Sequence, residues 1–143
     1  MNLLMKKFNE LTTRELYEIL KARAAVFVVE QNCVYQDLDE IDYRAVHVFL
    51  EEQGEVQAYL RVFEKEEDLA QIGRVLTVKR GIGLGKQVML EGIRAAKAFM
   101  HSQKIYIEAQ CYAIDFYKGL GFQVASEEFL EDGIPHVQMI REE

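Results

Sequence analysis

Apolar positions recur along this chain with two different periods, and the switches between them mark out its elements. Leu16, Ile19, Leu20 and Arg23 follow one another at the spacing of a helix face. Just ahead, Thr12-Thr13-Arg14-Glu15 forms a capping box, with Thr12 as N-cap and Glu15 reaching back. Together they predict a helix ending at about Ala25. The runs AVHVFLE and EVQAYLRVF, within residues 45–63, flank EQG and predict a β-hairpin. AQIGRVLTV, rich in β-branched residues, predicts a third strand. Helical spacing returns from Gly85 to Met100 through Val88, Met89, Ile93 and Ala96. KIYIEAQ then predicts a strand and AIDFYKGL a short helix. QVASEEFL and HVQMIRE predict a final strand pair around the turn EDGIP. With one strand ahead of the first helix, the order is β-α-β-β-β-α-β-α-β-β. That is an α/β (α+β) chain with a mixed sheet, not a regular βαβ repeat.

The chain has 143 residues, half of them hydrophobic, so residues 1–143 are expected to form one domain with a sizeable core. A net charge of −7 argues against nucleic acid, because no basic face is available to displace counterions. No apolar stretch approaches the roughly 20 residues that span a bilayer, and Met1 to Leu11 does not read as a signal peptide. Cys33 and Cys111 lie far apart without a CxxC pair, which points to two reduced thiols and no metal site. A cytoplasmic protein is the expectation.

VKRGIGLGKQVML, residues 78–90, places Gly81, Gly83 and Gly85 between a strand and a helix, with Arg80 and Lys86 on either side. A helix N-terminus carries unpaired N–H groups and the positive end of the helix dipole, so it holds phosphates. Glycine lets the backbone approach the anion. The plain alternative is a tight connection with no ligand. The spacing from Gly81 to Gly85 is one residue too short for a P-loop, and Gln87 replaces its magnesium-binding hydroxyl. GxGxG is also not the dinucleotide fingerprint GxGxxG.

RxxGxG, carried by Arg80, Gly83 and Gly85, resembles the [QR]xxGx[GA] signature of the GNAT superfamily of N-acetyltransferases. Downstream, CYAIDFYKGLGF resembles the family's AxxFY…GF helix at Ala113, Phe116, Tyr117, Gly121 and Phe122. FVVEQNCVYQDLDEID (27–42), IGRV (72–75) and EDGIPH (131–136) are similar to the ElaA-like members, so the resemblance spans nearly the whole chain. It implies a GNAT-type sheet of about six or seven mostly antiparallel strands flanked by helices. It also implies acetyl-CoA as co-substrate and no metal. The pyrophosphate would lie on the backbone of Gly81, Ile82, Gly83, Leu84, Gly85 and Lys86 beside Arg80. The pantetheine arm would pair with Val75, Leu76 and Thr77. Tyr117 would protonate the departing thiolate as general acid. The chain departs from the family pattern where the strand before the turn lacks a proline and is about two residues shorter. Gln110 also stands where many members have asparagine.

The implied reaction is direct acetyl transfer to a primary amine of a small molecule or peptide. A non-catalytic acyl-CoA-binding or sensing protein is the alternative, and a homodimer is the assembly the resemblance allows. The amine must lose a proton to a base. Glu108 and Glu30 are the candidates, with His47 and His136 behind them. Each also has a structural reading: Glu108 as an ion pair with Arg74, His47 as a satisfied strand histidine. Phe116 reads as a core aromatic and Cys111 as a small buried residue. Asp37, Asp39, Glu40 and Asp42 read first as a solvated loop, and second as a negative lip attracting a cationic amine.

Overall fold

The computed structural model describes residues 1–143. Its elements run β1 (Asn2–Lys7), α1 (Thr13–Arg23), β2 (Val46–Glu52), β3 (Glu55–Glu66), β4 (Leu69–Thr77), α2 (Leu84–Met100), β5 (Lys104–Gln110), α3 (Ile114–Lys118), β6 (Gln123–Val124), β7 (Phe129–Glu131) and β8 (Ile134–Glu142). They build one sheet in the order β1-β2-β3-β4-β5-β8-β6, with β7 also paired to β8. Every pairing is antiparallel except β4 with β5.

The expected element order holds, with one change at the C-terminal end. QVASEEFL does not make one strand. The Gln138 amide donates to the Ser126 hydroxyl (2.8 Å) rather than to a strand carbonyl, and the chain leaves the ladder between β6 and β7. The sheet therefore has eight strands instead of six or seven. The capping box of α1 is formed in both directions: Glu15 N–H donates to Thr12 Oγ1 (3.1 Å) and Thr12 N–H to Glu15 Oε1 (2.8 Å). The α-helix stops at Arg23, two residues before the expected end, and continues as a π-helical turn over Ala24–Glu30. The β-branched run Val26, Val28, Val29 disfavours regular helix there.

Strand alternation divides the apolar side chains between two cores. Val48, Leu60, Val62, Ile72, Ile105 and Ile107 face α2, where Val88, Met89, Ile93 and Ala96 meet them. Phe49, Tyr59 and Leu76 face the other way, toward Ile19 and Ala22 of α1. Gly92 lets α2 lie close on the sheet: a Cβ there would fall 2.7 Å from Leu60 Cδ2.

Two irregularities open the sheet. The β3–β4 register shifts between Tyr59 and Arg61, and Arg74, opposite this shift, has a left-handed φ of 54°. This bulge explains why Ile72 and Leu76, four positions apart, join opposite cores. Then β4 pairs with β5 only from Leu69 to Gln71, after which the strands separate.

Candidate active site

The separation of β4 and β5 leaves a cleft of about 840 Å³ between them, lined among others by Val75, Leu76, Thr77, Glu108, Gln110 and Tyr117. Past Gln71, β4 pairs only with β3, through Ile72, Gly73, Leu76 and Thr77, so its other edge offers free backbone groups to the cleft.

The glycine turn closes one end. Gly81 and Gly83 have φ of 82° and 79°, conformations that only glycine adopts without strain. A Cβ at either would meet nothing within 4 Å, so the space over the turn is open. Gly83 caps α2 without a side-chain hydrogen bond, and the first helical bond is donated by Gln87 to Gly83 O (3.2 Å). The N–H groups of Leu84, Gly85 and Lys86 are thus unpaired donors at the positive end of a 17-residue helix. Gly85 touches both walls: its Cβ would lie 3.6 Å from Phe116 Cζ and 3.8 Å from Thr77 Cγ2. Arg80 reaches across to Glu30 in an exposed ion pair. An anion of pyrophosphate type therefore meets what it needs here: unpaired N–H groups, room, and two cations.

Tyr117 is placed opposite the open edge of β4. It packs edge-on against Phe116 (centroids 5.1 Å apart) and Phe122 (6.0 Å) and touches the α2-side core. Behind it the chain turns sharply: Leu120 N–H and Phe122 N–H both donate to Tyr117 O, and Gly121 takes a φ of 96°. Burial pushes the Tyr117 phenol up to about 12, so it stays protonated at neutral pH. Its hydroxyl has no hydrogen-bond partner in the protein. Phe116 departs from its expected core position. It is 41 % exposed and lines the cleft, because the five-residue α3 turns only Tyr117 and Ile114 inward.

The base candidates separate. Glu108 lines the cleft and accepts a bond from Tyr106 Oη (2.9 Å). Its expected ion pair with Arg74 does not form, since the bulge turns Arg74 to Asp37 (2.8 Å) and Asp39 (3.4 Å). Glu30 stands by the glycine turn with Arg80, away from Glu108. His47 is the satisfied strand histidine. Its Nε2 donates to Asp42 O (3.0 Å) and its Nδ1 accepts from Tyr59 Oη (2.8 Å), while burial lowers its pKa and keeps it neutral. His136 lines the cleft with Glu131, a residue the sequence reading did not single out although it opens the EDGIPH segment.

The acidic stretch is neither a solvated loop nor a lip. Arg23, fully buried, binds Asp42 (2.7 Å) and Asp37 (2.9 Å), and Arg61 binds Asp39 (2.5 Å) and Asp42 (3.0 Å). Burial alone would raise the pKa of Asp42, but Arg23 and Arg61 hold it below the usual carboxylate range. Only Glu40 of the four carboxylates has no cationic partner. Asp39, Arg61, Arg74 and Tyr35 line the cleft, so this network forms one of its walls. Neither cysteine is bonded to the other; Cys111, half-buried rather than buried, directs its thiol to Glu128 Oε1 (3.4 Å).

The family profile described as "Acetyltransferase (GNAT) domain" matches residues 12–143. The chain belongs to the GNAT acetyltransferase family. It is 40 % identical over 138 residues to a UPF0039 protein of Schizosaccharomyces pombe, covering 94 % of this chain and 92 % of that one. It is 38 % identical to protein ElaA of Escherichia coli over 140 residues, again 94 % and 92 % of the two chains. The crystal structure of Escherichia coli ElaA superposes with a TM-score of 0.94 over 99 % of this chain and 100 % of that one. A Pseudomonas aeruginosa structure described as an acyl-CoA N-acyltransferase gives 0.92 at 36 % identity, covering 99 % of each chain. GNAT membership accounts for the mixed, mostly antiparallel sheet flanked by helices. No helix of the chain is long and apolar enough to cross a membrane.

Proposed function

We propose that this chain transfers an acetyl group from acetyl-CoA to a primary amine of a small molecule or peptide by direct attack. One observation carries the reading: a single cleft joins the unpaired N–H groups of α2, the open edge of β4 and the unpartnered hydroxyl of Tyr117. The name of the Pseudomonas aeruginosa relative, an acyl-CoA N-acyltransferase, supports the donor class.

When bound, the donor supplies an activated thioester carbonyl. Gly81 to Lys86, with Arg80, hold the pyrophosphate through backbone N–H groups and charge. The free edge over Val75, Leu76 and Thr77 pairs with the pantetheine amides, and an N–H of this segment stabilises the oxygen that gains charge. Gln110, lining the same cleft, offers its amide to the arm. Tyr117 donates a proton to the leaving sulfur.

A free-thiol assay with acetyl-CoA against spermidine, lysine, an aminoglycoside and a lysine peptide tests the reading. Turnover with any of these amines separates an acetyltransferase from a protein that only binds or senses acyl-CoA. Gly83→Val forces a β-branched residue into the left-handed region and fills the open space over the turn where the anion would approach. With no atom within 4 Å to clash, the fold should survive, and calorimetry should show coenzyme A binding weakened at least about tenfold. Glu30 competes with the ligand for Arg80. An exposed pair of this kind is worth less than about 1 kcal/mol, so Glu30→Gln should tighten coenzyme A binding about two- to fivefold at low salt. The gain should vanish as salt rises.

A further inference from the structure

The wall of the cleft built by β5, β7 and β8 carries a group of side chains that coenzyme A binding does not use. His136 Nδ1 lies 2.6 Å from Ile134 O, and a carbonyl only accepts, so Nδ1 bears the proton of the neutral ring. Nε2 is left with its lone pair. The Phe129 ring stacks on the imidazole (centroids 5.9 Å apart, planes 25°) and fixes its plane. Nε2 sits 3.7 Å from Glu131 Oε2, close enough to pair once the ring is charged. Across the sheet, His136 is the register partner of Gln110, and Glu108 lies two residues back on the same face of β5.

The surrounding charges leave this group wanting a cation. Glu131 feels Glu108, Asp132 and His136, together with Arg74 from β4. Arg74 is held by Asp37 and Asp39, Lys65 lies over the Tyr106 ring, and the Tyr106 hydroxyl is given to Glu108. Glu108 and Glu131 thus face one space with no Lys or Arg paired to either, and Glu131 is half exposed there. Burial raises the pKa of Glu131, and Glu108 adds to it, as expected for like charges crowded together.

We propose that His136, backed by Glu131, is the general base for an acceptor that enters as an ammonium ion, held between Glu108 and Glu131; this rests on the acetyl-transfer reading above. The ammonium gives one proton to His136 Nε2, and Glu131 pairs with the imidazolium. The freed nitrogen lone pair attacks the thioester carbonyl carbon. A C–N bond forms, the C–S bond breaks, and its electron pair leaves on sulfur, which takes the Tyr117 proton. The nitrogen loses a second proton to solvent, solvent returns one to Tyr117, and His136 releases the single net proton of the reaction.

The test uses the full chain, acetyl-CoA and whichever amine of the panel turns over fastest. His136→Gln should lower kcat/KM for the amine by at least about 10²-fold. It should abolish the acid limb of the pH profile and leave the coenzyme A Kd within about twofold by calorimetry. Glu131→Gln should lower kcat/KM for the amine by about tenfold and leave the coenzyme A Kd within about twofold, because the ammonium and the imidazolium both lose a counter-charge. A His136→Gln enzyme that keeps the acid limb, or stays within about threefold of wild type, overturns the proposal and leaves the acetyltransferase reading standing. If His136→Gln does not fold, Glu131→Gln decides, and a variant whose kcat/KM for the amine stays within about threefold of wild type overturns the proposal. A wild-type chain that acetylates none of the amines overturns the acetyltransferase reading, and the base assignment with it.

Discussion

Tyr117→Phe is expected to lower kcat by about 10²- to 10⁴-fold, the contribution of a positioned acid. The change deletes one oxygen that has no hydrogen-bond partner in the protein, so no buried group is left unsatisfied. The ring contacts with Phe116 and Phe122 remain, and the fold should keep its stability. The KM for acetyl-CoA should change by less than about threefold, because the bond to sulfur strengthens only as the thiolate departs. Steady-state kinetics together with single-turnover measurements check this. If chemistry limits turnover and the variant keeps near-normal kcat, the thiolate is protonated by water and Tyr117 only shapes the cleft.

Arg23→Met should be the most destabilising single change in the acidic network, costing about 3–5 kcal/mol in urea unfolding. Arg23 is fully buried and forks between Asp42 and Asp37, so its loss leaves two carboxylates short of a partner in a poorly solvated site. Methionine keeps most of the volume, which makes the loss electrostatic rather than a cavity effect. Arg23→Lys should be intermediate, since a point charge cannot serve both carboxylates in the plane of a guanidinium. The pH dependence gives a second readout. Asp39 and Asp42 titrate below their ordinary value in the folded chain. Their contribution is therefore complete above the unfolded carboxylate value of about 3.9 and is lost as pH falls through the lower folded values. Without Arg23, Asp42 loses its strongest partner, and acid unfolding should begin at higher pH. An Arg23→Met chain with wild-type stability would mean that Arg61 and Arg74 alone satisfy the acidic stretch. The same variant should also disturb amine turnover, because Asp39, Arg61 and Arg74 line the cleft.

Much of this molecule follows from interactions between near neighbours in the chain, and those were legible in the residues alone. The Thr12–Glu15 capping box, the Gln53-Gly54 turn with both residues at positive φ, and the Gly81-Gly83 turn into α2 are each local. Alternation along β2 and β3 and helical spacing along α2 announce which faces are buried, because side-chain direction follows from backbone period. Glycine spacing marked the turn into α2, whereas the Phe116-Tyr117 pair drew attention only through the resemblance of CYAIDFYKGLGF to the GNAT helix. What residues distant in sequence do to one another was decided only in the folded chain. Four acidic residues in six look solvated until α1, β3 and β4 bring Arg23, Arg61 and Arg74 against three of them. Arg74 looks like a partner for Glu108 until a bulge gives it to Asp37 and Asp39. Phe116 looks like core until a helix of one and a half turns leaves it facing the cleft. Glu131 and His136 are ordinary residues of a hairpin until the separation of β4 from β5 opens a space beside them, and that separation depends on strand register, which no local pattern encodes.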